Sequence, residues 1–265
     1  MPTLPAPLES LELALDRVAF ARTVGLEPDP WQRDLLRSDS PRVLLNCSRQ
    51  SGKSTVSAVL ALHRALFYPG SLVLCLAPAL RQSQELFGKI GGFYRRLDRG
   101  GFANPRSDQK LQLELSNGSR IITLPGNEKT IRGFSGAALL LVDEAARIDD
   151  ALYYAVRPML AVSGGALMML STPWGKRGVF YEAWQTGGAE WTRFEVPATE
   201  CPRIPPEFLE VESRSMGEFF YSQEYMCQFQ EPVDQFFSDA ELAAALDPTV
   251  KPIFANRKKV DHAAA

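Results

Sequence analysis

Two kinds of hydrophobic run alternate along this chain. Residues 43–46, 72–77, 138–142 and 166–170 are short and apolar almost throughout. Each is followed by a stretch with helical spacing, at 53–67, 80–97, near 149–161 with Pro158 interrupting it, and at 178–184. A strand with no polar face must be covered on both sides, and helices are what join parallel neighbours. The pattern therefore predicts an α/β fold with a mostly parallel sheet flanked by helices. Ahead of it, residues 8–23 carry apolar positions at 8, 11, 15 and 18 and predict one helix, and residues 31–36 predict another. The breaker Gly25-Leu26-Glu27-Pro28-Asp29-Pro30 separates them.

Two regions break the alternation. Leu111-Gln112-Leu113-Glu114-Leu115 and Ser119-Arg120-Ile121-Ile122-Thr123-Leu124 flank Ser116-Asn117-Gly118, which predicts a β-hairpin whose two central residues have positive φ. The hairpin should add antiparallel structure beside the parallel sheet. From about residue 200 the character changes: Pro202, Pro205 and Pro206 lead into helices expected over 207–213 and 217–229, then a loop with Pro232. The expected organisation is a core over 1–200, a small helical subdomain over 201–255 and a linker-like tail over 256–265, which has no apolar period. No internal repeat is evident.

Candidate chemistry begins at Cys47-Ser48-Arg49-Gln50-Ser51-Gly52-Lys53-Ser54-Thr55, between an apolar run and a helix-like one. In that setting, backbone N–H groups and the positive end of the helix can cradle polyphosphate, Lys53 can reach the β- and γ-phosphates, and Ser54 can hold Mg²⁺. The expected ligand is ATP. Cys47 stands where such loops usually begin with glycine, so a plain surface turn is the competing reading. The apolar strand Leu139-Leu140-Leu141-Val142 ends in Asp143-Glu144, with Asp143 suited to the Mg²⁺ shell and Glu144 to orienting or deprotonating the attacking water. A strand-capping acidic pair without function is the alternative, and the upstream loop argues against it. Ser171-Thr172-Pro173 ends the next strand, where a hydroxyl could sit beside the γ-phosphate or simply terminate the strand. In Pro30-Trp31-Gln32, the amide of Gln32 could meet the adenine edge, with Trp31 either walling that pocket or filling the core.

Composition sharpens the picture further. At 265 residues the chain can bury roughly three quarters of its unfolded surface, enough for one large domain with or without an appendage. A formal net charge of −2 gives no global basic field, so nucleic-acid contact needs a local patch or an assembled ring. Arg95, Arg96 and Arg99, and Lys176 with Arg177, are candidate patches or ordinary solvated surface. Cys47, Cys75, Cys201 and Cys227 show no C-x-x-C spacing and only His63 and His262 could join them, so zinc is not expected and the thiols read as buried groups in a reducing compartment. No apolar run reaches membrane-spanning length and no signal pattern opens the chain, so a soluble, intracellular protein without membrane contact is expected.

Taken in order, these motifs resemble the large terminase subunit of tailed bacteriophages. The resemblance rests on Ser48-Arg49-Gln50-Ser51-Gly52-Lys53-Ser54-Thr55, the Asn117-Gly118-Ser119 turn, Thr130-Ile131-Arg132-Gly133-Phe134-Ser135-Gly136, Val142-Asp143-Glu144-Ala145 and Ser171-Thr172-Pro173-Trp174-Gly175. Tyr221-Ser222-Gln223-Glu224-Tyr225 and Gln228-Phe229 extend it to about residues 28–238. It implies a P-loop ATPase of the additional-strand, conserved-glutamate type that pumps double-stranded DNA into a procapsid. The implied partners are the portal protein, the small terminase subunit and further copies of the chain in a pentameric ring, or none in an isolated monomer, in the host cytoplasm. Carried onto this sequence, Lys53, Ser54, Asp143 and Glu144 keep the roles above, Thr172 falls in the coupling motif, and Trp31 and Gln32 form the adenine motif. Arg49 is the arginine of the phosphate loop, Arg132 the arginine some members donate to a neighbour's ATP, and the helices after residue 200 form the lid.

The resemblance also implies a nuclease beyond the motor, with a cluster of aspartates. After residue 240 only Asp247 and Asp261 follow, so an isolated motor part without cleavage activity is expected. The competing readings are a helicase-like ATPase stimulated by nucleic acid, disfavoured by the lack of a second ATPase-like half, and a nucleotide-binding assembly module without turnover, disfavoured by Glu144.

Overall fold

The computed structural model describes residues 7–97, 105–109, 111–126 and 133–231, with Glu241, Ala244 and Ala245. Arg99, Thr130, Ile131, Arg132, Pro232, Asp247, Asp261 and the tail over 256–265 lie outside the described residues. One compact unit spans Met1–Gln230 and a second Glu231–Ala265, and the sheet lies within the first.

The parallel sheet forms where the apolar runs predict it. Among the described residues the strands are β1 (Arg42–Cys47), β2 (Leu72–Ala77), β3 (Pro105–Gln109), β4 (Gln112–Leu115), β5 (Arg120–Pro125), β6 (Ala137–Asp143), β7 (Ala166–Ser171) and β8 (Thr192–Val196), in the spatial order β3-β4-β5-β2-β6-β7-β1-β8. From β5 to β8 every neighbouring pair is parallel, while β4 runs antiparallel to both β5 and β3. The hairpin thus borders the parallel sheet as expected, and its second strand joins that sheet beside β2.

Alternation along each strand divides the core between two faces. Leu139 and Leu141 of β6 pack on one side, with helices α1 (Pro7–Leu15), α2 (Arg17–Thr23), α3 (Pro30–Arg37), α4 (Lys53–Phe67) and α5 (Leu80–Arg96). Leu140 and Val142 pack on the other, with α6 (Asp150–Val156), a 3₁₀ turn at Arg157–Leu160 and α7 (Gly178–Thr186). Helices α8 (Pro206–Ser215) and α9 (Glu218–Glu224) follow β8. All four cysteines are free and buried. Among the described residues no helix is long and apolar enough to cross a membrane.

Three expectations are corrected. The helix over 8–23 is two helices, because the Asp16 carboxylate caps α2, accepting from the N–H groups of Val18 at 2.8 Å and Ala19 at 3.1 Å. The helix near 149–161 is interrupted at Pro158 as expected: it leaves the α form at Arg157, and Pro158 falls in the 3₁₀ turn. Helix α9 stops at Glu224 rather than running to 229, and Cys227 adopts a left-handed backbone. In the hairpin turn only Gly118 has positive φ, at 83°. Asn117 serves differently: its side-chain amide donates to the carbonyls of Ala65 at 2.8 Å and Leu66 at 3.1 Å, tying the turn to the end of α4.

Candidate active site

Because β6, β7 and β1 are parallel neighbours, their carboxyl ends lie side by side, and each delivers one motif to the same edge of the sheet. β1 ends at Cys47, whose thiol is wholly buried in the core and pushed up to about 12 by that burial, so it stays neutral. Cys47 lies outside the positive-φ residues, so this position does not require glycine. The next turn does. Gln50 has φ 60° and Gly52 φ 92°, and a Cβ on Gly52 would stand 2.8 Å from Gln32 Nε2 and 2.9 Å from Arg203 NH2. The loop is pinned where the Ser48 N–H donates to the Val196 carbonyl at 3.0 Å and the Ser51 hydroxyl to the Ser48 carbonyl at 2.9 Å. Helix α4 then starts at Lys53 with its N-terminus at the site.

The side chains converge closely. Lys53 Nζ lies 3.3 Å from Thr172 Oγ1 and 3.3 Å from Glu144 Oε1. Ser54 Oγ donates to Asp143 Oδ2 at 3.0 Å, and the Ser171 hydroxyl is 3.5 Å from Glu144 Oε2. Glu144 leaves the strand with φ 51°, a left-handed conformation a glutamate adopts at a cost, and its N–H donates to Asp143 Oδ1 at 3.0 Å. Burial, and next the neighbouring charge of Glu144, push the Asp143 carboxyl up to about 6, while Lys53 and Ser54 pull it back. Such a carboxylate is short of positive charge, and with the adjacent Ser54 oxygen it fits the hard, oxygen-seeking Mg²⁺, whose remaining ligands are usually phosphates and water.

A cleft of about 640 Å³ opens over this edge. Gln32, Arg49, Gln50, Gly52, Lys53, Ser54, Thr55, Asp143 and Glu144 line it, facing Gln82, Glu85 and Lys89 of α5. Among the described residues, four expected site residues are not in that lining. Trp31 packs in the core, Ser48 and Ser51 are buried within the loop, and Thr172 is buried against Lys53. Gln32 spends its oxygen on the Asp29 N–H at 3.0 Å, and its Nε2 lies 3.4 Å from the Gly52 carbonyl. Arg49 pairs with Glu224 of α9 through Nε, which holds its guanidinium above the usual range, with Glu144 adding a smaller effect. A smaller cavity of about 260 Å³ opens by Pro41, Ala138 and Ala166, at the other end of the parallel strands, and gathers none of the motif residues.

Three residues near the site have roles that sequence reasoning does not assign, although Glu224 falls in the Tyr221–Tyr225 motif. Arg203 reaches the Asp29 carboxylate at 2.6 Å and the Ser51 carbonyl at 2.7 Å, joining the start of α3 to the phosphate loop. Its position in a proline-rich turn is visible in the sequence; its partners, far away along the chain, are not. Glu224 receives Arg49 and has Arg147 at 4.0 Å. Asn46 donates its amide to the Cys227 carbonyl at 2.8 Å, tying β1 to the segment after α9.

Among the candidate basic residues, Arg96 has a structural duty. Arg96 donates to the Val24 carbonyl at 3.2 Å and so anchors the turn after α2.

Comparison with known proteins finds relatives in both sequence and fold. Large terminase subunits of Thermus phage G20c and Thermus virus P23-45 are each 28% identical over 209 residues, covering 71% of this chain and 42% of theirs. The chain thus spans about two fifths of the length of the curated relatives it matches. Its fold is similar to that of the Thermus phage P74-26 large terminase ATPase domain, with a TM-score of 0.71 and 21% identity over 79% of this chain and 97% of that one. A large terminase from a thermophilic bacteriophage, solved in complex with ADP, is similar at a TM-score of 0.62 and 14% identity, over 80% of this chain and 52% of that one. The family model described as terminase large subunit, T4likevirus-type, N-terminal, matches residues 44–264. This chain belongs to that terminase large subunit family.

Proposed function

We propose that the chain binds ATP with Mg²⁺ in the cleft and hydrolyses it as the ATPase part of a motor that moves double-stranded DNA into a procapsid. The observation that carries the reading is the meeting of Lys53, Ser54, Asp143, Glu144 and Thr172 at the carboxyl ends of three adjacent parallel strands. Family membership and the ADP complex of the thermophilic phage terminase support it.

The roles follow from position. The loop N–H groups and the α4 N-terminus receive the phosphates, and Lys53 moves its charge from Glu144 onto them. Ser54 and Asp143 hold Mg²⁺, which supplies charge neutralisation for the triphosphate. Glu144, released from Lys53, orients the attacking water and accepts its proton; its left-handed backbone aims the carboxylate off the strand end. Thr172, hydrogen-bonded to Lys53, registers where that ammonium is. Gln32 and Arg203 border the part of the cleft next to α3, where we place the adenine, and Trp31 supports α3 from the core.

Around this centre we place a lid over residues 201–255, Arg132 acting on a neighbouring subunit's ATP, and a ring of copies on the portal, with the small terminase subunit as a further partner in the host cytoplasm. DNA cleavage is assigned to no residue of the chain. The test is the ATPase rate of the purified chain alone, with duplex DNA, and with DNA and portal-bearing procapsids. Stimulation by DNA and procapsids together is expected. Turnover indifferent to both would contradict the motor reading while leaving the ATPase reading in place.

A further inference from the structure

The smaller cavity, of about 260 Å³, lies at the amino ends of the parallel strands and takes no part in the nucleotide reading. Its walls are of two kinds. Leu35 of α3, Val43 of β1, Leu60 of α4, Leu139 of β6 and Ala166 and Met168 of β7 are apolar, while Arg17, Ser38, Asp39, Arg64 and Tyr68 supply polar groups. An apolar cavity of roughly 150 Å³ already holds benzene, so the space here suffices for a compact organic molecule.

The charges around the cavity do not balance. Arg17 is satisfied: its NH2 meets the Asp39 carboxylate, and its NH1 donates to the Ser38 carbonyl at 3.0 Å. His63 stays neutral near pH 7, because burial drives it down to about 4. That leaves Arg64. Helix α4 contains no acid, and among the described residues no carboxylate forms an ion pair with Arg64. Its Nε is buried with no hydrogen-bond partner, an arrangement that costs stability until an acceptor is supplied. The Tyr68 ring, with its centroid 4.1 Å from Cζ, steadies the guanidinium but offers its N–H groups no oxygen. The carboxyl end of α4 accounts for a cation at this position, but not for a buried N–H without an acceptor.

We infer that this cavity binds a small organic anion, a carboxylate on a compact apolar body: the carboxylate pairs with Arg64, and the body fills the space beside Leu60, Ala166 and Met168. Inorganic phosphate lacks the apolar body, and a neutral hydrocarbon lacks the charge that Arg64 is left to meet. The inference is independent of the ATP reading, since no residue lining the nucleotide cleft lines this cavity.

Benzoate and benzamide test it, being alike in shape and different in charge. Protein carrying ¹³C at the methionine methyls reports the place, because Met168 lines the cavity, and Met168→Leu assigns its signal. Benzoate should shift that signal with a dissociation constant of about 1 mM or tighter, as expected of a ligand of about nine heavy atoms, and benzamide should bind about tenfold more weakly. Arg64→Met, which keeps the stem and removes the charge, should bring benzoate to the level of benzamide and leave benzamide unchanged. Arg64→Lys should keep part of the difference. Ala166→Leu, which puts a larger side chain into the space, should abolish both responses. If Arg64→Met fails to fold, the wild-type comparison and Ala166→Leu still decide. An unmoved Met168 signal at about 20 mM benzoate, equal affinity for the two probes, or an undiminished response in Arg64→Met or Ala166→Leu overturns the inference.

Discussion

The Lys53 ammonium lies 3.3 Å from the Glu144 carboxylate, so the cation assigned to phosphate and the acid assigned to water neutralise each other. Removing the lysine leaves Asp143 and Glu144 as adjacent acids with no cation between them and the cleft. Lys53→Ala should weaken Mg²⁺–ADP binding roughly ten- to a hundredfold, the worth of hydrogen bonds from a charged donor. Isothermal titration measures this. Wild-type affinity in the variant would take Lys53 out of phosphate binding.

Gly52 is the position where the loop admits no side chain. With φ at 92° and both Gln32 and Arg203 within 3 Å of an added Cβ, Gly52→Ala should cost about 1–2 kcal/mol of stability through the left-handed backbone alone. It should also turn Lys53 away from the phosphates. A thermal melt and an ADP titration read the two effects separately, and a variant that melts and binds like wild type would show that the loop relaxes freely.

Most of the sheet and the centre of the site are legible in the sequence, and the exceptions have physical causes. Strands β1, β2, β6 and β7 announce themselves because both of their faces are buried, which makes them apolar except at their ends. Strand β8 lies at the sheet edge with Arg193 and Glu195 on it, and β3, Pro105-Arg106-Ser107-Asp108-Gln109, is polar apart from its proline; its pairing with β4 is a backbone matter that side-chain pattern does not encode. In the site, Lys53, Ser54, Asp143 and Glu144 are legible because each sits at a motif tied to a strand end. Arg203 and Glu224 are not, since their meaning lies in partners reached only by the fold: 175 residues separate Arg49 from Glu224.

His63 should give the protein an acid-sensitive term. Burial among Phe20, Phe67 and Tyr68 holds it neutral and drives it down to about 4, despite its contact at 3.1 Å with the Leu13 carbonyl. A depressed folded value means stability that is complete above the unfolded value near 6.5 and lost as pH falls toward 4, of order 3 kcal/mol in all. Asp143 acts oppositely: its raised value means stability present at low pH and lost as pH rises through about 6. The two terms overlap, so the comparison to make is wild type against His63→Phe in urea titrations at pH 7.5 and 4.5. The variant should lose less stability on acidification than wild type, and equal losses would contradict the account.

Arg132 carries the proposal of action between subunits. Arg132→Ala should fold, bind ATP and lose roughly 10³–10⁵ in turnover if it serves as an arginine finger. Mixed with Lys53→Ala, which keeps its own finger but has a damaged pocket, it should regain part of the activity where wild type assembles. Demonstrated co-assembly without recovery would place the arginine's action elsewhere.

The central claim is that Glu144 performs the chemistry while Lys53, Ser54 and the loop hold the nucleotide, and Glu144→Gln separates the two directly. Steady-state ATP turnover and Mg²⁺–ATPγS affinity should be measured on the same preparation of this variant. The account predicts turnover reduced by about 10²–10⁴, the usual contribution of a positioned general base, with affinity equal to or above wild type because Lys53 loses its competing carboxylate. Turnover near the wild-type rate would contradict it.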